Sequence, residues 1–134
     1  MSNENVQAVR EVIDAFNRRD FDAAMAPLRD DVTWERFLSR AEATSPAVRG
    51  KAELLAVWKS QVEAVDIRVE PEEFIPVGNK VIAPMRMVAR GSGSEIELTT
   101  TVTWVSTFDD DGLCAKVEAY ESRDDAFRAA GLRV

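Results

Sequence analysis

The 134-residue sequence contains no histidine. That absence removes Ser-His-Asp and Cys-His nucleophile activation, imidazole metal ligation, and the side chain that most often moves protons near neutral pH. Any chemistry has to run on carboxylates, Arg, Lys, Tyr or ordered water. Cysteine is nearly absent too. Cys114 stands alone, so no intrachain disulfide forms and nothing points to an oxidising compartment; the residue reads as a small buried hydrophobe. No stretch approaches the roughly 18 uninterrupted apolar residues of a membrane span, and MSNENVQAVR lacks the pattern of a secretory leader, so a cytoplasmic address is expected. Positive charge is in deficit, with 17 Lys and Arg against 24 Asp and Glu and a net charge of -7. The cations are scattered, which leaves no footprint for a phosphate backbone and argues against nucleic acid as a partner. No metal site and no cofactor pattern is read; the Asp109-Asp110-Asp111-Gly112 run lacks the spaced ligands of a calcium loop and reads as a solvated turn.

What is present suits one domain over residues 1–134, with 46% hydrophobic and 31% charged residues. Val6, Val9, Val12, Ile13 and Phe16 recur at helical spacing and mark a first helix ending near Asn17. A shorter helix follows, with Asp20 as N-cap and Phe21, Ala24, Met25 and Leu28 as its stripe, stopped with the help of Pro27. VTWERF, residues 32–37, alternates as a strand. Residues 38–50 have no period and contain Pro46, which suggests a pocket rim or lid. Residues 51–65 return to helix, with Leu54, Leu55, Trp58, Val62 and Val65 on one face.

From there the period shortens to two. Ile67, Val69 and Phe74 mark an irregular edge strand interrupted by Pro71. After the turn signal at residues 77–80, KVIAPMRMVAR runs to a Gly91-Ser92-Gly93-Ser94 hairpin, and Ile96, Leu98, Thr100, Val102 and Trp104 alternate as the buried side of the next strand. LCAKVEAYES is the last strand, and Ser122 caps a terminal helical turn. Three helices across one face of a curved, mostly antiparallel sheet make an α+β two-layer domain with a cavity between the layers.

AFNRRDFDAAMAPLRDDVTWE, VRGKAELLAVW, FDDDG before a strand, and YESRDDAFRAAGL resemble the SnoaL-like branch of the nuclear-transport-factor-2-like superfamily along nearly the whole chain. The resemblance implies a cone-shaped (cystatin-like) domain with a pocket at its open end and a homodimer through the outer sheet face. It does not carry an activity, because the scaffold hosts isomerases, cyclases, hydrolases and binding modules. Against the ketosteroid isomerases, the catalytic carboxylate falls at Arg36, which stays protonated and cannot be a base. Their two oxyanion donors fall near Val12 and Trp104. The His and Asp pair of the polyketide cyclases is missing, with Ala119 near the acid's place, and the central-strand positions of the limonene epoxide hydrolases are Val102 and Trp104.

Strand parity then gives an expected site. Trp34, Arg36, Met85, Met87, Thr100, Val102, Trp104, Val117, Ala119 and Glu121 face the helices, joined by Trp58, and form an apolar wall with one cation and one anion. An unpaired buried guanidinium is costly, so Arg36 is expected to pair with Glu121. Pairing would lower the Glu121 pKa and favour binding over proton transfer. The pair has three readings: a structural ion pair, Arg36 orienting a ligand carboxylate or enolate, or Glu121 acting as acid or base with Arg36 in an isomerase- or cyclase-type reaction. Each tryptophan is expected to find a partner for its indole N–H. Tyr120, with Val105, Val88 and Arg86, faces outward and is assigned to a subunit interface. The whole reads as a pocket protein for a small apolar molecule with a polar group; the alternative is a non-catalytic binding or dimerisation module, and a third reading is a subunit of a larger complex.

Overall fold

The structure, a computed structural model, describes residues 2–37, 47–91 and 96–132. Helix α1 spans Ser2–Asn17, and its stripe of Val9, Val12, Ile13 and Phe16 is buried. The chain leaves it through Arg19, whose φ of 63° is the left-handed conformation that usually calls for glycine. The arginine is held there by its own side chain, which donates to the carbonyls of Phe16 at 3.0 Å and Ile67 at 2.6 Å and pairs with Asp66 at 2.7 Å. Helix α2, Phe21–Met25, is capped by Asp20, whose carboxylate accepts from the Ala23 amide at 3.2 Å. It is one turn shorter than its apolar spacing suggested. Leu28 instead opens strand β1, Leu28–Phe37, because Pro27 ends the helix and its carbonyl accepts from the Cys114 amide at 2.9 Å.

Strand β2, Val48–Arg49, is a short partner of β1 inside the stretch that carried no period. Of the expected rim or lid over residues 38–50, residues 38–46 lie outside the described residues. Helix α3, Lys51–Ala64, follows Gly50, whose φ of 88° and N–H to the Val32 carbonyl at 2.7 Å turn the chain off the sheet. The remaining strands are β3 (Val65–Pro71), β4 (Ile75–Val77), β5 (Lys80–Gly91), β6 (Glu97–Phe108) and β7 (Cys114–Tyr120), with α4 (Arg123–Ala129) last. Ser122 caps α4 by accepting from the Asp125 amide at 3.2 Å.

The seven strands form one sheet in the order β2-β1-β7-β6-β5-β3, with β4 also on β5. Every pairing is antiparallel except β1 with β7, so the fold is α+β with a mixed sheet. Edge strand β3 ends at Pro71, and its other edge is met by Asn17, whose side chain bonds both the N–H and the carbonyl of Val69, at 2.9 and 2.7 Å. A side-chain amide thereby stands in for a neighbouring strand.

Burial divides the apolar residues into two clusters, one on each face of the sheet. On the inner face, α1, α2 and α3 cover Val32, Val69, Val81, Met85, Trp104 and Val117. On the outer face, α4 covers Ile82, Val105 and Tyr120, with Ile75 and Val77 of β4 beside them. This outer layer corrects one expectation. Tyr120 and Val105 are not available to a second subunit, because the C-terminal helix of the same chain buries them, and the Tyr120 hydroxyl donates to Glu118 at 2.9 Å.

Candidate functional site

The register sets out the inner face row by row. Arg36 lies beside Ala119, Ala119 beside Trp104, and Trp104 beside Ala83; one row along, Trp34 is paired to Val117 and Val117 to Ser106. Toward the hairpin, Val102 pairs with Met85, Thr100 with Met87, and Leu98 with Ala89. Cross-strand partners point to one side of a sheet, so Trp34, Arg36, Met85, Met87, Thr100, Val102, Trp104, Val117 and Ala119 do share the face turned to the helices. Trp58 reaches them from α3.

What the strands bring together, packing divides. Met85, Trp104, Val117, Ala119 and Trp58 belong to the buried core; Trp34, Met87 and Val102 are half-buried; Thr100 and Arg36 are exposed. The middle of the face is filled by rings set edge to face. Trp34 meets Trp58 at 5.3 Å and Trp104 at 4.7 Å between centroids, and Trp58 meets Phe16 at 5.3 Å. Such contacts add about 0.5–1.5 kcal/mol each beyond burial. Deeper still, toward Val9, Val12 and Leu28 below Trp104, a void of about 10 Å³ remains. Its lining is apolar and it has room for a single water at most. The cavity expected between the layers is therefore occupied by tryptophan at this depth, and the accessible part of the inner face is its hairpin end.

The expected Arg36–Glu121 ion pair is not formed. Both side chains are exposed, and among the described residues neither takes part in a salt bridge. Their backbones are near neighbours, since Arg36 pairs with Ala119 and Glu121 follows two residues on. Pairing was expected from the cost of burying a lone guanidinium, and that cost vanishes where both groups keep their water.

Two further expectations are overturned. Leu98 and Ile96, read as the buried side of their strand, are 66% and 71% exposed. Alternation correctly gave the face of Leu98, but period alone does not say where the covering helices stop. The indole groups were expected to be hydrogen-bonded, yet among the described residues none of the three has an acceptor.

On the other side of the domain, Asp30, Asp31, Asp109, Asp110 and Asp111 line an open concavity of about 590 Å³. Arg29 pairs with Asp31 at 2.9 Å and Asp109 at 3.6 Å, and Lys51 pairs with Asp30 at 3.6 Å. The Asp109 carboxylate accepts from the amides of Asp111 and Leu113, both at 2.9 Å, which makes the run a turn as read. No group of three or more metal-ligating side chains occurs among the described residues. Cys114 is buried and its thiol is pushed up to about 12, chiefly by loss of water, which removes it as a nucleophile.

Among the described residues no helix is long and apolar enough to cross a membrane. The description "SnoaL-like domain" matches residues 9–117. No curated relative matches the sequence. Among solved structures, an NTF2-like protein of unknown function from Burkholderia pseudomallei superposes with a TM-score of 0.75 at 24% identity, covering 96% of this chain and 97% of the other. An LEH-like epoxide hydrolase from M. tuberculosis gives 0.75 at 20% identity over 96% and 90% of the two chains. A further Mycobacterium tuberculosis protein, in complex with estradiol-17beta-hemisuccinate, gives 0.76 at 17% identity over 90% and 95%. At these identities the likeness is one of fold.

Proposed function

Since the chain belongs to the SnoaL-like family within the NTF2-like superfamily, a fold that names no reaction by itself, we propose that it binds a small, largely apolar molecule at the hairpin end of the inner sheet face. One observation carries this reading: the face stays apolar past the point where the helices cease to cover it. Met87, Ala89 and Val102 are half-buried at the edge of the core and Leu98 beyond them is exposed, while Arg36 lies on the same face in the row of Ala119 and Trp104. A strip of that kind is costly to leave in water and marks a contact surface. The fold relative seen with estradiol-17beta-hemisuccinate supports an apolar ligand with one polar group.

Binding without turnover is the better-supported form. An isomerase- or cyclase-type reaction would need Glu121 as proton carrier and Arg36 as partner of the developing oxyanion. With no histidine in the chain and both groups in water, that centre lacks the dry surroundings that tune a carboxylate for such work. A homodimer would have to use the part of the outer face that α4 leaves bare, around Arg86, Val88 and Thr101. A cytoplasmic location suits the single buried cysteine.

Native mass spectrometry of the protein purified from its own host tests the binding reading. A bound small molecule that is lost in Leu98→Glu, with the melting temperature unchanged, is the expected result. Ligand-free protein together with unaltered probe binding by Leu98→Glu would contradict it. Light scattering tests the dimer, and a monomer at micromolar concentration would exclude it.

A further inference from the structure

The hairpin of β5 and β6 outruns its neighbour on one side. Strand β5 stays paired with β6 as far as Arg90 with Glu97, whereas β7 pairs with β6 only from Thr103, opposite Tyr120, where β7 ends. From Glu97 to Val102, β6 therefore has β5 on one edge and, among the described residues, no strand on the other. Every second residue of that stretch turns its N–H and carbonyl to the open side.

Sheets guard such edges with proline, bulges, inward charges or a covering segment. The β3 edge is guarded in this way, since Asn17 bonds Val69 and Pro71 ends the strand. The register of β6 shifts only at Thr107 and Phe108, outside the open stretch, which reads ELTTTV, has no proline and carries Glu97 as its one charge. Threonine and valine favour extended backbone, and Leu98 is 66% exposed. The stretch is made as a strand and lacks a neighbour.

We propose that a second copy of the chain supplies that neighbour, the two β6 strands pairing antiparallel about a two-fold axis at Thr99 and joining both sheets into one. This rests on the homodimer considered above and makes it edge to edge, at the margin of the bare outer face to which Thr101 belongs. It does not depend on the ligand, because a neighbouring strand covers the edge of Leu98 and leaves its inner surface open.

Two limits set the register. Opposed residues of an antiparallel pair point to one side, so an axis that keeps inner face with inner face passes through a residue and not between two. Each strand must also clear Tyr120 of the other copy, which already occupies the place beside Thr103. An axis at Thr100 sets Glu97 opposite Thr103 and into that strand end, and an axis at Leu98 leaves Thr101 and Val102 opposite residues that precede the strand. An axis at Thr99 sets Glu97 opposite Thr101, and Leu98 opposite Thr100, within the open stretch. The side chains suit it on both faces. On the inner face the row Val69-Met87-Thr100 of one sheet continues as Leu98-Ala89-Ile67 of the other. On the outer face Glu70-Arg86-Thr101 continues as Glu97-Arg90-Asp66, so no two like charges stand side by side across the junction. About four to six backbone hydrogen bonds close it. The contact is self-complementary, so association stops at two copies.

Thr99→Cys tests the axis itself. Directly opposed residues have Cα atoms about 4.5–5.5 Å apart, within reach of a disulfide, and the native Cys114 is buried. Mild oxidation of Thr99→Cys should give a covalent dimer, whereas Thr101→Cys, about 14 Å from its own image, should give none. In sedimentation equilibrium Thr101→Lys, opposite Glu97, should tighten the dimer severalfold and Thr101→Glu should loosen it. In the unaltered protein, exchange protection of alternate amides between Glu97 and Thr101 should rise with concentration. A dimer that leaves those amides unprotected, or that crosslinks equally through both cysteine variants, would overturn the edge pairing while a homodimer through the outer face stood. A monomer at micromolar concentration would overturn both, and a monomer with those amides protected would show that another segment of the same chain takes the edge.

Discussion

Strand β6 is buried on both faces from Thr103 to Ser106 and exposed on both from Glu97 to Thr101. The closed stretch is held between α4 outside and α1 to α3 inside. The open stretch has the same inward alternation, Leu98 then Thr100, with no helix over it among the described residues. Apolar side chains in the closed half are explained by folding alone. Leu98 in the open half is not, since it gains little from the core, and that difference sets residues explained by stability apart from a candidate for contact.

The largest effect that sharpens the contrast is truncation. Trp104→Ala removes a ring packed against Trp34 and should cost about 3–5 kcal/mol in chemical denaturation. Leu98→Ala should stay within about 0.5 kcal/mol. Similar losses at both positions would mean that the two halves are not distinct.

A pH series comes next. The ordinary thiol value is 9.0, and burial pushes Cys114 up to about 12. Between those limits the unfolded thiol ionises while the folded one stays protonated. The folded state then holds more protons, and stability falls as pH rises, by up to about 1.4 kcal/mol per pH unit. Tyr120, raised by burial and by its bond to Glu118, acts in the same direction above the ordinary phenol value of 10.0. Cys114→Val should flatten the decline from pH 9 upward and leave the tyrosine part; an unaltered slope would remove Cys114 from the closed half.

Asn17→Ala, which strands the Val69 amide and carbonyl at the sheet edge, should cost about 1–3 kcal/mol and raise hydrogen exchange along β3. The smallest effect concerns Arg36 and Glu121. A double-mutant cycle of Arg36→Met and Glu121→Gln should give a coupling below about 0.5 kcal/mol. A coupling of a buried pair's size would restore the ion pair that the sequence suggested.

The helix stripes, the caps at Asp20 and Ser122, and the inward parity of the strands were legible in the sequence because each is set by spacing of a few residues. The parallel pairing of β1 with β7 was not, since it joins segments some eighty positions apart and leaves no local period. For the same reason the burial of Tyr120 under α4 was missed. At the site, alternation placed Arg36 on the correct face but not at its depth, because parity decides which way a side chain points while cover from other elements decides whether it is dry. The missing acceptors of the three indoles are likewise a matter of packing, which no spacing encodes.

The central claim is that the inner face is plugged by tryptophan at its closed half and receives a ligand at its open half. Backbone and indole amide spectra recorded while naphthoate is added test it most directly. Shifts are expected at residues 98–102 of β6 and at Met87, with α4 unmoved. Shifts centred on α4 or on the aspartate concavity, or no shifts at millimolar naphthoate, would contradict it.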